Sequence, residues 1–272
     1  MPWQPKASAP ARGRWHAVSC EKKKEEEQKE TLDKEEVPER HHHVNARQLL
    51  YPGSSVKRFP VPDERVPWEV DFSAYKPLAY DAQTGPATEE PNGKNPMGRT
   101  GLTGRGRLNH LGPNYSMDLI LTCWKRNSDG SVCMKAAKKV MRFFSVKHKE
   151  CEQWAFPGGP LQPGEALPAR LKQILDPFLQ KKITEMLSDG REVYKGYVDD
   201  TRNTDQAWIE TTAINLHFEE DDEVLAELKK LDTTDPEAEI TAAWQDADQL
   251  AKLTANHRDL LQKVAVLWQA HC

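Results

Sequence analysis

The sequence has few cysteines and no long apolar run, and each shortage excludes a class of protein. Its five cysteines are odd in number and none stands in a Cys-X-X-Cys pair, which argues against a zinc ribbon and a disulfide framework. No apolar stretch approaches the roughly 20 residues that a bilayer-spanning helix needs. We therefore expect a reducing compartment and no direct insertion of this chain into a membrane.

A strong excess of charge of either sign is also missing. The 272 residues include 38 basic and 42 acidic side chains, for a net charge of −4. Such a balance gives no general attraction to nucleic acid, so no nucleic-acid partner is expected. Apolar residues make up only 38% of the chain, which is low for a globular protein and indicates that part of it lies outside any core.

The chain divides into three regions by composition. We expect residues 1–45 to be a charged, disordered tail, in which 21–36 are rich in Glu and Lys and 41–43 are three histidines with no expected role. Residues 46–115 are rich in proline and aromatic residues, which predicts an N-terminal lobe of extended chain and short edge strands. Residues 116–272 interleave apolar strands with amphipathic helices, which predicts an α/β or α+β sandwich.

The predicted elements of the third region follow from apolar periodicity and turn residues. We expect Asp176 to cap a helix that has Pro177 at its first position. The strands are expected at 117–124, 140–147, 153–156, 192–198 and 207–218, and the helices at 166–175, 177–187, 222–231 and 257–270.

A glycine- and arginine-rich segment at 95–114 has two interpretations. It reads NPMGRTGLTGRGRLNHLGPN and contains Arg99, Arg105 and Arg107. Glycines let the backbone approach an anion and arginines pair with phosphate bidentately, which favours a phosphate site. A glycine-rich connector with exposed arginines explains the same residues equally well, so both interpretations remain open.

A second segment carries a motif with chemistry. Gly159, five residues and Glu165 resemble the opening of the Nudix box, GX5EX7REUXEEXGU, where U is aliphatic. The segments 51–68, 95–114, 154–165 and 194–211 extend the likeness, and together they resemble the ADP-ribose-specific Nudix family. That family contains a mitochondrial ADP-ribose pyrophosphatase and a C-terminal domain of an ADP-ribose-gated melastatin-type channel. Gln173-Ile174-Leu175 makes the chain more similar to the channel-fused form.

The resemblance implies a Nudix α/β/α sandwich with a smaller N-terminal lobe, and ADP-ribose in the cleft between them. It also implies ligand contacts at four positions, which are Asp200, Arg202, His257 and Ser116. Two departures weaken the expected adenosine contacts, because Thr254 stands where the family has an aromatic residue and Asp118 where some relatives have tyrosine.

Simpler roles explain two of these positions as well. His257 lies near a predicted helix start, where it serves equally well as a surface cap residue. Arg202 is surrounded in sequence by Asp199, Asp200 and Asp205. A salt-bridge cluster that stabilises the turn is therefore the alternative to a ligand contact.

The box has lost the carboxylates that hold metal in this family. The family's arginine-glutamate pair and two later glutamates fall at Gln173, Ile174, Pro177 and Phe178. No catalytic residue is expected there, and Glu165 is at most a single metal ligand. Binding is thus expected to need no cofactor, whereas hydrolysis would need Mg²⁺.

Three functional hypotheses follow. The first is an ADP-ribose-binding nucleotide sensor, as the cytosolic ligand-binding part of a tetrameric, calcium-permeable cation channel at the plasma membrane. The second is a magnesium-dependent pyrophosphatase that yields AMP and ribose 5-phosphate, with rescue carboxylates such as Glu165, Glu192 or Glu210 and a mitochondrial alternative location. The third is a structural remnant that binds nothing. The substituted box favours the first.

Overall fold

The computed structural model describes residues 43–82, 93–149, 153–232, 238–248 and 253–271. The chain divides into two units, of which His43–Cys272 is the second, and all described residues belong to it. Residues 1–42 of the predicted charged tail, including 21–36 and His41–His42, therefore lie outside the described residues. Among the residues described, no helix is long and apolar enough to cross a membrane.

The second unit is built around one mixed sheet. Its strands are β3 (Gly112–Trp124), β6 (Met141–His148), β7 (Gly158–Pro160), β8 (Arg191–Val198), β9 (Ala207–Phe218) and β10 (Ile240–Asp246). They follow the order β10-β6-β3-β9-β8, and β7 pairs with β3 off this path. The two long central strands, β3 and β9, are parallel from Gly112↔Ala207 to Cys123↔Phe218. Strands β6, β8 and β10 join by antiparallel pairing.

Helices cover both faces of this sheet. They are α1 (Ala169–Ile174), α2 (Pro177–Met186), α3 (Glu223–Lys230) and α4 (Ala255–Leu267). Alternation along β3 sends Leu119 and Leu121 into the core with the first three helices, and sends Ile120 into the core with α4. Burial on both faces explains the nearly continuous apolar run in β3. The predicted α/β/α sandwich is confirmed.

The remaining strands are short and lie outside this sheet. Strand β1 (Leu78–Asp81) pairs in parallel with β2 (Leu102–Gly106), and β4 (Met134–Lys135) forms a hairpin with β5 (Lys138–Lys139). In its described residues the predicted N-terminal region, 46–115, thus contains the short strands β1 and β2 and the start of β3. Strand β3 runs through the predicted boundary at 115/116, and the division into two lobes remains a prediction.

Several predicted elements need correction. Residues 153–156 form only isolated bridges, from Trp154 to Leu253 and from Ala155 to Val146, because the short strand lies just beyond them at Gly158–Pro160. Helix α1 begins after Pro168 and is shorter than the predicted 166–175. Strand β10 was not predicted. The cap is confirmed, because Asp176 Oδ1 accepts a hydrogen bond of 2.8 Å from the Leu179 amide.

His43 has a structural role that the sequence did not predict. It is 2% exposed, and its ring nitrogens lie 2.7 Å from Tyr197 Oη and 3.2 Å from the carbonyl oxygen of Arg99. Asn45 and Ala46 follow, and their amides donate to the Asp199 carboxylate at 2.9 Å each. The start of the second unit is thus held against the loop that follows β8.

Candidate functional site

A cleft of about 740 Å³ opens where strand β3 changes partners. One edge of β3 pairs with β7 over Ser116–Asp118 and with β6 over Thr122–Trp124. The cleft is lined by β3 and β7, the 107–110 turn, the loop after β8 and the first turns of α1 and α4. All four predicted ligand positions line it, namely Ser116, Asp200, Arg202 and His257. Whether they contact a ligand remains a prediction.

Arg202 and Asp200 form a two-pronged ion pair at the cleft wall. Arg202 Nε donates to Asp200 Oδ1 at 2.8 Å, and Nη2 donates to Oδ2 at 2.9 Å. Burial disfavours the charged form of Asp200, but the hydrogen bonds and charge of Arg202 outweigh burial and lower its pKa. The hydrogen bond from Arg202 to Asp200 raises the pKa of Arg202 in turn. The pair is therefore ionised and nearly neutral as a unit.

The other two aspartates do not belong to this pair, so the proposed three-aspartate cluster around Arg202 is wrong. Asp199 accepts the two amides of the 45–46 turn. Asp205 accepts hydrogen bonds from Tyr75 Oη at 2.6 Å and from the Thr100 amide at 2.7 Å. Burial raises the pKa of Asp205. These two carboxylates fix the position of the loop, and only Asp200 contacts the arginine.

His257 is held in one tautomer by the backbone. Its Nδ1 accepts a hydrogen bond of 3.0 Å from the Phe156 amide, so in the neutral ring the proton is on Nε2. Nε2 lies 3.5 Å from Asp118 Oδ1, and the His257 side chain is 16% exposed. The ring also stacks on Phe156 with centroids 4.9 Å apart. A largely buried ring with these partners is not a surface cap.

Asp118 has a second partner and gives this wall of the cleft acceptor character. Its Oδ2 accepts a hydrogen bond of 2.7 Å from Thr211 Oγ1. Ser116, two residues earlier on the same face of β3, has a long contact of 3.4 Å to the Glu210 carbonyl oxygen. Thr254 also lines the cleft. This region therefore offers hydroxyl, imidazole and carboxylate groups suited to a ligand with several hydroxyl groups.

The substituted positions of the box lie apart from this arrangement. Among the described residues that line the cleft, none is a substituted box position, and Ile174 packs against the core instead. Gln173, Pro177 and Phe178 are exposed. Glu165 Oε1 accepts from Lys172 Nζ at 3.0 Å, and this hydrogen bond lowers the pKa of Glu165.

The side chains present do not suit a Mg²⁺ site of the box type. Within the described ranges there is no group of three or more His, Cys, Asp or Glu side chains that could hold a metal ion. Glu165 is the only carboxylate retained in the box, and it already pairs with a lysine. Neither Glu192 nor Glu210 is among the residues lining the cleft, and Glu210 accepts from Trp208 Nε1 at 2.9 Å.

The glycine-rich segment has a mainly structural role. Arg99 donates to the backbone carbonyls of Arg65 and Pro67, at 2.8 and 2.6 Å. Arg105 Nε donates to Asp81 Oδ2 at 2.7 Å. Of the three arginines only Arg107 lines the cleft, so the connector interpretation fits two of them and the phosphate-site interpretation is left with one.

Sequence reasoning missed one cleft residue with obvious chemistry. Arg170, in the first turn of α1, lines the cleft beside Gly159. A basic residue three positions before the altered box pair was the available signal. Whether this residue reaches the cleft depends on the path of the preceding loop, which local sequence patterns do not predict.

Two proteins illustrate what the chain is similar to. The transient receptor potential cation channel subfamily M member 2 of Rattus norvegicus is 42% identical over 274 residues, which cover 85% of this chain and 18% of the channel. The mitochondrial ADP-ribose pyrophosphatase of Rattus norvegicus is 34% identical over 281 residues, covering 84% of this chain and 79% of that protein. The chain thus spans only a small part of the channel.

The remaining comparisons add less. The same kind of channel from Nematostella vectensis is 36% identical over 281 residues, with 84% of this chain and 18% of that protein covered. A mutT/nudix family protein from Listeria innocua is similar in structure at 21% identity and a TM-score of 0.35, covering 57% of this chain and 92% of that one. No protein-family model matches the chain.

Proposed function

Since the chain belongs to the Nudix family of the ADP-ribose pyrophosphatases and their channel-fused relatives, we propose that it binds ADP-ribose in the cleft and hydrolyses it slowly or not at all. One observation carries this proposal: the polar groups suited to a ligand and the box positions that would hold metal lie in different places. The polar groups suited to a ligand line the cleft, whereas the box positions that would hold metal are Gln173, Ile174, Pro177 and Phe178.

The proposed ligand contacts use the chemistry of each group. Arg202 keeps Nη1 available after its two bonds to Asp200 and can donate it to a ribose or phosphate oxygen. His257 Nε2–H and the Asp118 carboxylate can donate to and accept from ribose hydroxyls. Ser116 lies close enough along β3 to add a hydroxyl group. None of these contacts requires a metal ion.

The proposed biological role is that of a nucleotide sensor. A domain that binds a ligand without consuming it can report the ligand's concentration to the rest of a protein. The 42% identity to a cation channel supports a place as the ligand-binding part of a calcium-permeable, tetrameric channel, on the cytosolic side of the plasma membrane.

The second candidate is an active, Mg²⁺-dependent ADP-ribose pyrophosphatase located in mitochondria, favoured by the 34% identity that spans 79% of the mitochondrial enzyme. Calorimetric titration with ADP-ribose, followed by chromatography of the same sample for AMP, distinguishes the two. Binding with ADP-ribose recovered intact in the presence of Mg²⁺ supports the sensor. Rapid Mg²⁺-dependent release of AMP overturns the sensor. If no heat of binding is measured, the third hypothesis, a structural remnant that binds nothing, is favoured.

A further inference from the structure

The cationic groups of the cleft differ in how much charge they can offer a ligand. A nucleoside diphosphate derivative brings two negative charges. Arg202 is already neutralised by the bidentate pair with Asp200. Lys263 Nζ lies 4.6 Å from the centroid of the Tyr194 ring, and Arg107 Nη1 contacts the Pro52 carbonyl oxygen at 3.4 Å. Because Arg202 is paired with a carboxylate, a further cation would strengthen the binding of the phosphates.

Arg170 differs from these three. It is exposed and lines the cleft, and in the described part of the chain no hydrogen bond or ion pair engages its guanidinium group. Helix α1 itself (ARLKQI) contains no acidic residue. A planar guanidinium group in this condition is suited to bidentate pairing with a phosphate.

Two glycines bring Arg170 to the cleft. Strand β7 pairs with β3 through Met117↔Gly159 and Asp118↔Gly158, and a Cβ on Gly158 would come within 2.2 Å of the Met117 carbonyl oxygen. Gly159 has φ of +142° and lies under the Arg170 stem, with the Cδ atom 3.5 Å from the position of a Cβ. The Arg170 side chain thus lies over Gly159, whose strand pairs with Ser116–Asp118 of β3.

We infer that Arg170 binds the diphosphate of the ligand and supplies, from the box helix itself, positive charge that a metal ion would otherwise supply. The inference rests on the proposed function, because it concerns the phosphates of a ligand of the ADP-ribose class. It makes Arg170 an affinity-determining residue at one of the variable positions between Glu165 and Gln173 of the Nudix box.

The test is calorimetric titration of ADP-ribose into the full chain and its variants, in buffer with EDTA. Arg170→Ala should weaken binding by about 10–100-fold, as for the loss of a charge-assisted hydrogen bond. Arg170→Lys should restore part of the affinity, because an ammonium group keeps the charge but not the planar geometry. The affinity of Arg170→Ala should also fall less steeply with salt.

Lys181→Ala is the matched control. It removes one positive charge from an exposed position on α2, where the side chain is 76% exposed and pairs with Glu185. It should leave the dissociation constant unchanged. Melting temperatures should be the same for the Arg170 variants and the unaltered chain, since the exposed guanidinium group contributes no hydrogen bond to the fold.

The outcomes separate this inference from the proposed function. If the unaltered chain shows no binding of ADP-ribose, the proposed function fails and the inference fails with it. If the unaltered chain binds, but Arg170→Ala binds with equal affinity and equal salt dependence, only the inference is overturned. The same holds if Lys181→Ala weakens binding as much as Arg170→Ala does.

Discussion

Tyr51→Phe should destabilise the fold by removing a single oxygen atom. Tyr51 is fully buried, and its hydroxyl donates to the Arg202 carbonyl at 2.9 Å and accepts from the Arg107 amide at 2.7 Å. Phenylalanine keeps the ring and leaves both backbone groups without this partner. At about 1–2 kcal/mol for each unsatisfied buried group, the free energy of unfolding should fall by about 2–4 kcal/mol.

Gly106 shows how closely the structure fits this hydroxyl. Its φ is +58°, and a Cβ there would lie 2.2 Å from Tyr51 Oη. The hydroxyl therefore joins the 106–107 turn to the 199–202 loop, and both segments contribute to the cleft. The same substitution should weaken ADP-ribose binding, because Arg202 would lose part of its positioning.

The assay is thermal and urea unfolding of the unaltered chain, Tyr51→Phe and the control Tyr115→Phe. For a unit of this size the loss corresponds to a melting temperature lower by about 4–16 °C. Tyr115 is 59% exposed, so its phenylalanine variant should unfold like the unaltered chain. Equal melting temperatures for all three proteins would refute the reasoning.

The sequence predicts those strands and helices whose buried residues form a recognisable pattern within a short stretch of chain. Strand β9 lies where the sequence predicts it, and the buried part of β3 matches the predicted 117–124, although the strand begins earlier, at Gly112. Strand β10 was not predicted, although Ile240, Ala242 and Trp244 alternate along it and face the same core. It pairs with β6 from Ile240↔His148 to Asp246↔Arg142. Strand β7 contains two glycines and a proline, which predict a turn, and only pairing with β3 makes it a strand.

The site depends even more on contacts between distant residues. Ser116, Asp200, Arg202 and His257 meet at one cleft, and the family resemblance, rather than any local rule, selected them. His43 looked like part of a polar tail, yet 154 residues separate it from its partner Tyr197. No pattern within a short window carries such information.

The remaining predictions concern the ion pair, a strained turn and a buried histidine. Arg202→Ala should weaken ADP-ribose binding by about 1–3 kcal/mol, with partial recovery in Arg202→Lys; a lower melting temperature with an unchanged dissociation constant would make it a turn residue only. Ala136 and Ala137 have φ of +47° and +60°, so Ala136→Asn with Ala137→Gly should raise the free energy of unfolding by about 1–2 kcal/mol, measured by urea unfolding, and no gain would argue against strain there. Burial lowers the pKa of His217 to about 4, and the ring stacks on Trp268 with centroids 4.3 Å apart. Because the unfolded chain, with an ordinary pKa of 6.5, then binds the proton more tightly than the folded one, this contribution to stability is complete above about pH 6.5 and is lost as the pH falls toward 4. The melting temperature of the unaltered chain should therefore fall more steeply over this range than that of His217→Phe, which keeps the stacking and cannot be protonated; parallel curves would show that His217 does not contribute to the acid sensitivity.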